Sequence, residues 1–253
     1  MEQVTIAHIS DLHFGDADPA ALYAAREALI ALNPDVVACS GDLTQGGRTQ
    51  EFADAAKWLA DLPFPLVVAP GNHDAPVYNV LSRLTRPKRR FVRLMLATSW
   101  SHAELGVRVR AFDTARPVQL RRDWSQGVYD LKDLDEMLEE GGRLVLVAHH
   151  PPVTPPGAQV ESDARRGKRA LERMAKHNGL VLLCGHTHKF YVGRLGGGPL
   201  TVVAPSLSSF RQRGETPGFV SVQIAFNGVS AALHNFDGNE FKAVEQVTVE
   251  AVA

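Results

Sequence analysis

Apolar and polar positions follow two rhythms along this chain, one up to His188 and another after it. Val4–Ser10 is a short β-rich run. Residues 18–33 place Leu22, Ala25, Leu29 and Leu32 at helical spacing, with Asp18 as N-cap and Pro19 at the first helical position. Residues 35–40 read as a second strand. Residues 48–62 read as a second helix with Phe52, Ala56, Leu59 and Leu62 turned inward, and 65–70 as a third strand. Strand, helix, strand, helix, strand at this pace predicts βαβ units and a largely parallel sheet.

The middle continues in the same manner. Residues 75–84 are expected to be helical, and 107–114 alternate as a strand with Val107, Val109 and Ala111 on one face. Residues 130–142 carry Leu131, Leu134 and Leu138 at burial spacing, and 143–150 form an almost wholly apolar strand. The stretch "PPVTPPG" is excluded from regular structure, because proline lacks the amide donor and fixes φ. A helix around Asp163–His177 and a strand over 179–188 follow. Beyond His188, residues 190–205 read as two strands joined by a glycine turn, and Asn227–Gly228 marks a hairpin. From about residue 218 the chain is β-rich and antiparallel, suited either to closing a second sheet or to dimerisation. With no linker, composition break or repeat, residues 1–253 are expected to form one α/β domain of mixed sheets with helices outside.

Composition narrows the function. The 253 residues are 45% hydrophobic, enough for a large core, and the net charge of −1 creates no global field for nucleic acid or an anionic membrane. Two cysteines, Cys39 and Cys184, lie in apolar runs and read as buried thiols in a reducing compartment. No apolar run approaches the ~20 residues that span a bilayer, and the first residues lack the basic and long apolar regions of a signal peptide. A soluble, cytoplasmic protein is expected, with peripheral membrane contact left open.

The candidate chemistry lies at the strand ends, where parallel α/β folds bind their ligands. The first strand ends in Ser10-Asp11-Leu12-His13, the second in Ser40-Gly41-Asp42, and the third in Gly71-Asn72-His73-Asp74. The strand at 143–148 ends in His149-His150, and the one at 180–183 in Gly185-His186-Thr187-His188. Each ending alone is commonplace, but five in succession point to one metal centre with hard and borderline donors and no thiolate. If the backbone stays extended, Asp11/His13 and His186/His188 each point one way and chelate. The Asp42 carboxylate has two oxygens and can bridge two cations ~3.5–4 Å apart, a recurrent phosphoryl-transfer arrangement.

These motifs, Asp11-x-His13, Gly41-Asp42, Gly71-Asn72-His73-Asp74, His149-His150-Pro151-Pro152 and Gly185-His186-Thr187-His188, resemble the calcineurin-like metallophosphoesterase superfamily over residues 4 to about 225. "HHPP", and "FDT" ahead of a helix, are most similar to its class III cyclic-nucleotide and glycerophosphodiester phosphodiesterases. The resemblance implies a four-layer α/β/β/α sandwich. It implies that Asp11, His13 and His188 hold one metal, that Asn72, His149 and His186 hold the second, and that Asp42 bridges. Two divalent ions (Mn, Fe, Zn, Co or Ni) less Asp11, Asp42 and a bridging hydroxide leave a cluster of about +1, suited to attack on an anionic phosphoester. His73 is the candidate acid for the leaving oxygen, with Asp74 orienting its ring. Gly71 lets the backbone turn. His8 is expected to pack within the first strand, and His150 to point away from the metals.

Three basic segments bear on substrate: Arg83, Arg86, Lys88, Arg89, Arg90 and Arg93; residues 161–169; and residues 208–215, where Arg211 or Arg213 is expected to touch substrate beside Asn72 and His73. The first, followed by Leu94, Met95 and Leu96, suits a second phosphate, a nucleic-acid backbone, a lipid interface or plain solvation. A small phosphodiester is the expected substrate. A pyrophosphatase acting on a UDP-diacylglucosamine lipid is the alternative, although those enzymes commonly carry Arg in place of His73. A nuclease fits the near-neutral charge poorly. A metal-free scaffold of the same fold conflicts with the intact ligand set.

Overall fold

Two six-stranded sheets pack face to face in the protein, which is described here as a computed structural model covering residues 3–76, 80–86, 88–94, 98–116, 125–140, 142–210 and 214–250. The first sheet has the order β12-β11-β10-β1-β2-β3, with β1 (Gln3–Ile9), β2 (Val36–Cys39), β3 (Leu66–Val68), β10 (Gly218–Ala225), β11 (Gly228–Phe236) and β12 (Phe241–Glu250). The second has the order β4-β5-β6-β7-β9-β8, with β4 (Ser99–His102), β5 (Val107–Phe112), β6 (Arg143–Ala148), β7 (Val181–Cys184), β8 (Tyr191–Arg194) and β9 (Leu200–Val203). β1, β2 and β3 run parallel, as do β5, β6, β7 and β9. β4 and β8 are antiparallel edges.

Strand alternation explains the layering. Val4, Ile6, Val36, Ala38 and Val67 face Val109, Val145, Val147, Leu183 and Val202 between the sheets. The opposite faces, Ala7, Ile9, Val37 and Cys39, pack under helices α1 (Pro19–Leu32) and α2 (Thr49–Ala60) through Leu22, Ala25, Leu29, Phe52 and Leu59. Leu144, Leu146, Leu182 and Cys184 pack under α5 (Leu131–Leu138) and α6 (Gly167–Met174) through Leu134, Ala170 and Met174. Both faces of each central strand are therefore buried, which is why these strands read as unbroken apolar runs. The result is the four-layer α/β/β/α sandwich. Each fully buried leucine contributes roughly 1.5–3 kcal/mol. Asp18 caps α1, its Oδ1 accepting from Ala20 N at 2.9 Å. Both cysteines are free and buried.

Several local expectations change. On α2 the fully buried alanine is Ala55, with Ala56 half-buried, and Leu32 is half-buried at the end of α1. The helix around Asp163–His177 begins only at Gly167. Asp163 Oδ1 is instead engaged by Thr154 N (2.7 Å) and Thr154 Oγ1 (2.8 Å), and Arg166 is left-handed at φ 62°. Within residues 75–84, the described helix α3 covers Val80–Thr85; residues 77–79 lie outside the described residues. Strand β4 and the short helix α4 (Arg89–Arg93) had no periodic signal. The C-terminal strands β10–β12 extend the first sheet, antiparallel from β1, rather than closing the second.

Candidate metal centre

The polar endings of β1, β2, β3, β6 and β7 converge at one end of the sandwich. Two groups of donor atoms form there: Asp11, His13 and His188, and His149 with His186 and His150. A third grouping, Asp11, Asp42 and His149, links them. Asp11, His13, Asp42, Asn72, His149, His186 and His188 are all buried.

Each carboxylate divides its oxygens between protein and site. Asp11 Oδ2 accepts from Ser10 Oγ (2.5 Å) and His186 N (3.0 Å). Its Oδ1 has no hydrogen-bond donor and lies 3.2 Å from His188 Nε2 and 3.6 Å from His13 Nε2. Asp42 Oδ1 accepts from His73 N at 2.8 Å, while Oδ2 lies 3.3 Å from His149 Nε2 and 3.8 Å from His13 Nε2. Asp42 thus stands between the two groups. His149 Nδ1 donates to Ser40 O at 2.8 Å, which turns Nε2 inward, 3.1 Å from Asn72 Oδ1. Burial opposes ionisation of Asp42 and Asp11, but the imidazoles of His149 and His73, and of His188 and His13, outweigh it and hold both carboxyls below their ordinary range. Burial favours neutral His149, yet Asp42 raises it to about 9.

Buried polar atoms without hydrogen-bond partners are costly unless something else engages them. Asp11 Oδ1 and both ring nitrogens of His13 are in that state. Converging carboxylate, imidazole and amide oxygen donors around such atoms fit divalent cations.

The geometry is not reached by strand alternation. Asp11, His13, Asp42, His186 and His188 are all left-handed, with φ of 53°, 49°, 52°, 67° and 54°. Only two other described non-glycine residues, Asn33 and Arg166, share that region. The turn places Asp11 and His13 in one group but divides His186 from His188. Each such residue costs about 1–2 kcal/mol. Contacts from distant segments hold them: Ser206 Oγ donates to Asp11 O (2.6 Å), Ser208 Oγ to Leu12 O (2.8 Å), Asp11 N to Gly41 O (2.9 Å) and His13 N to Asp42 O (3.0 Å). Ser206 carried no motif, and Ser208 had been noted only as the start of the basic segment 208–215; neither was anticipated in this role.

Three neighbouring residues take different places from those expected or left open. Asp74 does not orient the His73 ring. Its Oδ2 accepts from Gly71 N (2.9 Å) and its Oδ1 from Thr44 N (3.1 Å), so it anchors the loop. Burial, then the Asp42 charge, pushes its carboxyl up to about 7. The ring partner of His73 is Gln45 O, 2.6 Å from Nδ1. His150 lies beside the donors, but Nε2 donates to Ser125 O (2.8 Å) and Nδ1 accepts from Thr114 Oγ1 (2.9 Å), so both nitrogens are engaged. His8 is buried, with Nε2 2.9 Å from Ser40 Oγ.

A cavity of about 300 Å³ opens over the donors, lined by His13, Asp42, Asn72, His73, His186 and His188. Its other wall comes from Ser125, Gln126 and residues 160–163, of which only 161–163 had been singled out, as the start of the basic segment 161–169. The basic segment 83–93 does not line it. Arg83 is buried, Lys88 pairs with Asp113, and Arg90 Nη1 donates to Gly47 O at 2.5 Å. Arg86, Arg89 and Arg93 are exposed. Arg211 and Arg213 lie outside the described residues.

Comparisons with known proteins agree with this geometry. The chain is 28% identical over 201 residues to a probable cyclic nucleotide phosphodiesterase of a Synechococcus strain, covering 75% of each chain. It is 28% identical over 205 residues to a glycerophosphodiester phosphodiesterase of Enterobacter lignolyticus, covering 72% of this chain and 70% of that one. Among solved structures, a dimetal phosphatase from Danio rerio superposes with a TM-score of 0.68 at 14% identity, over 98% of this chain and 99% of that one, and shares the fold. Residues 4–190 match the calcineurin-like phosphoesterases, and the chain belongs to that family of hydrolases.

Proposed function

We propose that this protein hydrolyses small phosphodiesters, of the cyclic-nucleotide or glycerophosphodiester type, in one metallophosphoesterase domain holding two divalent cations. The observation that carries this reading is the divided Asp42 carboxylate, with one oxygen on the His73 amide and the other toward imidazoles of both donor groups. Asp11, His13 and His188 would hold one cation and Asn72, His149 and His186 the other, with Asp42 between. When bound, such cations supply Lewis acidity and a water acidic enough to attack phosphorus near neutral pH. Nitrogen and oxygen donors accept Mn, Fe, Zn, Co or Ni.

The cavity supports a diester. Its wall opposite the donors carries Glu161 and Asp163, and among the described residues no lysine or arginine lines it. That wall repels a doubly charged monoester more than a singly charged diester. Among the described residues it offers no clamp for the second phosphate of a nucleotide-linked lipid, or for a nucleic-acid strand. Ser125, Gln126 and Ser162 suit the hydroxyls of a sugar or glycerol. His73 supplies the leaving-group proton. With Nδ1–H resting on Gln45 O, the imidazolium is the form that can act as acid, and its Nε2 proton is the one free to transfer. Asp74 holds the loop that presents Asn72 and His73.

With manganese-reconstituted protein, kcat/KM for bis-p-nitrophenyl phosphate is expected to exceed that for p-nitrophenyl phosphate at least tenfold. Equal rates would refute diester preference. His73→Ala should lower hydrolysis of diesters with poor leaving groups by about 10²–10⁴ at unchanged metal content. Unchanged rates on those substrates would remove the acid role.

A further inference from the structure

A second cavity, of about 440 Å³, lies between the two sheets at the end opposite the metal centre. Arg143 and His149 bracket β6, so strand rise separates the two sites by about 20 Å. Val181, Leu200 and Val229 make its floor apolar. Its charged lining is of one sign. Arg143 and Arg194 contribute to it, and no aspartate or glutamate does among the described residues. Arg143 reaches only the carbonyls of Ala225 and Phe226, at 3.3 Å each, and lies 5.2 Å over the Phe226 ring. Arg194 Nη1 donates to Gly198 O at 3.1 Å. Neither guanidinium meets a carboxylate among the described residues, and both ring nitrogens of His177 are buried without a hydrogen-bond partner.

Uncompensated guanidinium groups beside an apolar wall attract an anion more strongly than they would in open water. An apolar floor of this size takes a hydrocarbon chain. We propose that this cavity binds a single-chain amphiphilic anion, a fatty acid or an alkyl phosphate. The chain lies against Val181, Leu200 and Val229, and the head group sits at Arg143 and Arg194. This site is independent of the phosphoesterase reading.

The test is calorimetry of the full chain with dodecanoate, dodecyl phosphate and dodecanol, each below its aggregation limit. At least one anion is expected to bind with 1:1 stoichiometry, at least tenfold more tightly than the alcohol, and the tighter anion identifies the head group. Arg194→Glu, at an exposed position, should weaken that anion at least tenfold while hydrolysis of bis-p-nitrophenyl phosphate stays unchanged. Val229→Trp should fill the cavity and abolish binding. Absence of saturable binding to 1 mM, equal affinity for dodecanol, or an unaltered affinity in Arg194→Glu would each overturn the proposal. So would a dimer formed through this face that the anions fail to dissociate.

Discussion

Adding one methyl group at Gly185 tests the arrangement of the donors most directly. Gly185 follows β7 and immediately precedes His186, and its N–H donates to His149 O at 3.0 Å. Its backbone is not left-handed, so alanine can adopt it and the effect is steric. A Cβ there would stand 1.8 Å from Ser10 Oγ and 2.5 Å from Asp11 Oδ2. To reach an ordinary contact of about 3.4 Å, the Asp11 oxygen must retreat by about 0.9 Å. Asp11 Oδ2 is also the acceptor for His186 N, so the shift reaches both donor groups. Overpacking of this kind costs about 1–3 kcal/mol, and a displacement near 1 Å at a reacting centre costs about 10²-fold in rate. Gly185→Ala is therefore expected to lower the stability of the chelator-treated protein by about 1–3 kcal/mol and the kcat/KM for bis-p-nitrophenyl phosphate by about 10²-fold. Urea denaturation, elemental analysis of metal content and steady-state kinetics read the three effects. If Gly185→Ala loads metal with the parent's affinity and turns over within twofold of it, Asp11 is not where the reasoning requires it.

Manganese or zinc added to chelator-treated protein should raise the melting temperature, since a ligand at 100 times its Kd stabilises by about 2.7 kcal/mol; a flat titration would exclude a folded-state cation site. Ser206→Ala removes the donor to Asp11 O and the acceptor for Ser209 N, and should cost about 1–3 kcal/mol in urea unfolding; stability equal to the parent would show that the left-handed turn needs no such support. Asp130 caps α5, and the backbone N–H groups of Lys132 and Asp133 hold its carboxyl below the ordinary value. Because the folded pKa is the lower one, that stabilisation is present above the unfolded pKa of about 3.9 and is lost as pH falls through the folded value. Asp130→Ala should accordingly cost about 1 kcal/mol at pH 7, with the difference from the parent shrinking below pH 4; a pH-independent difference would refute the charged cap.

Much of the protein was legible in its amino-acid order. The succession of α1, α2 and the parallel strands follows from local periodicity, because burial of one helix face or both strand faces leaves a short-range pattern. The donor residues could be named because their chemistry belongs to the side chains themselves, and because they follow strands that are easily read. The hairpin was legible from the Asn227–Gly228 turn signal, and β10 and β11 do pair from Ala225↔Gly228, although neither Asn227 nor Gly228 takes the positive φ that such a signal usually supplies. The grouping of the donors was not. His186 and His188 look like one chelating pair in an extended chain, and only the left-handed backbone sends them to different groups. That backbone is unfavourable locally and persists through bonds such as Ser206 to Asp11, which join residues 195 positions apart. The partner of His73 and the anchoring role of Asp74 depend on Gln45 and Thr44 in the loop after β2. The cavity wall at 125–126 and 160–163 depends on how the second sheet's loops fold over the site. Local patterns record what a residue is and which face it buries; which strained turn survives is decided by contacts between distant segments, and those exist only once the two sheets have packed.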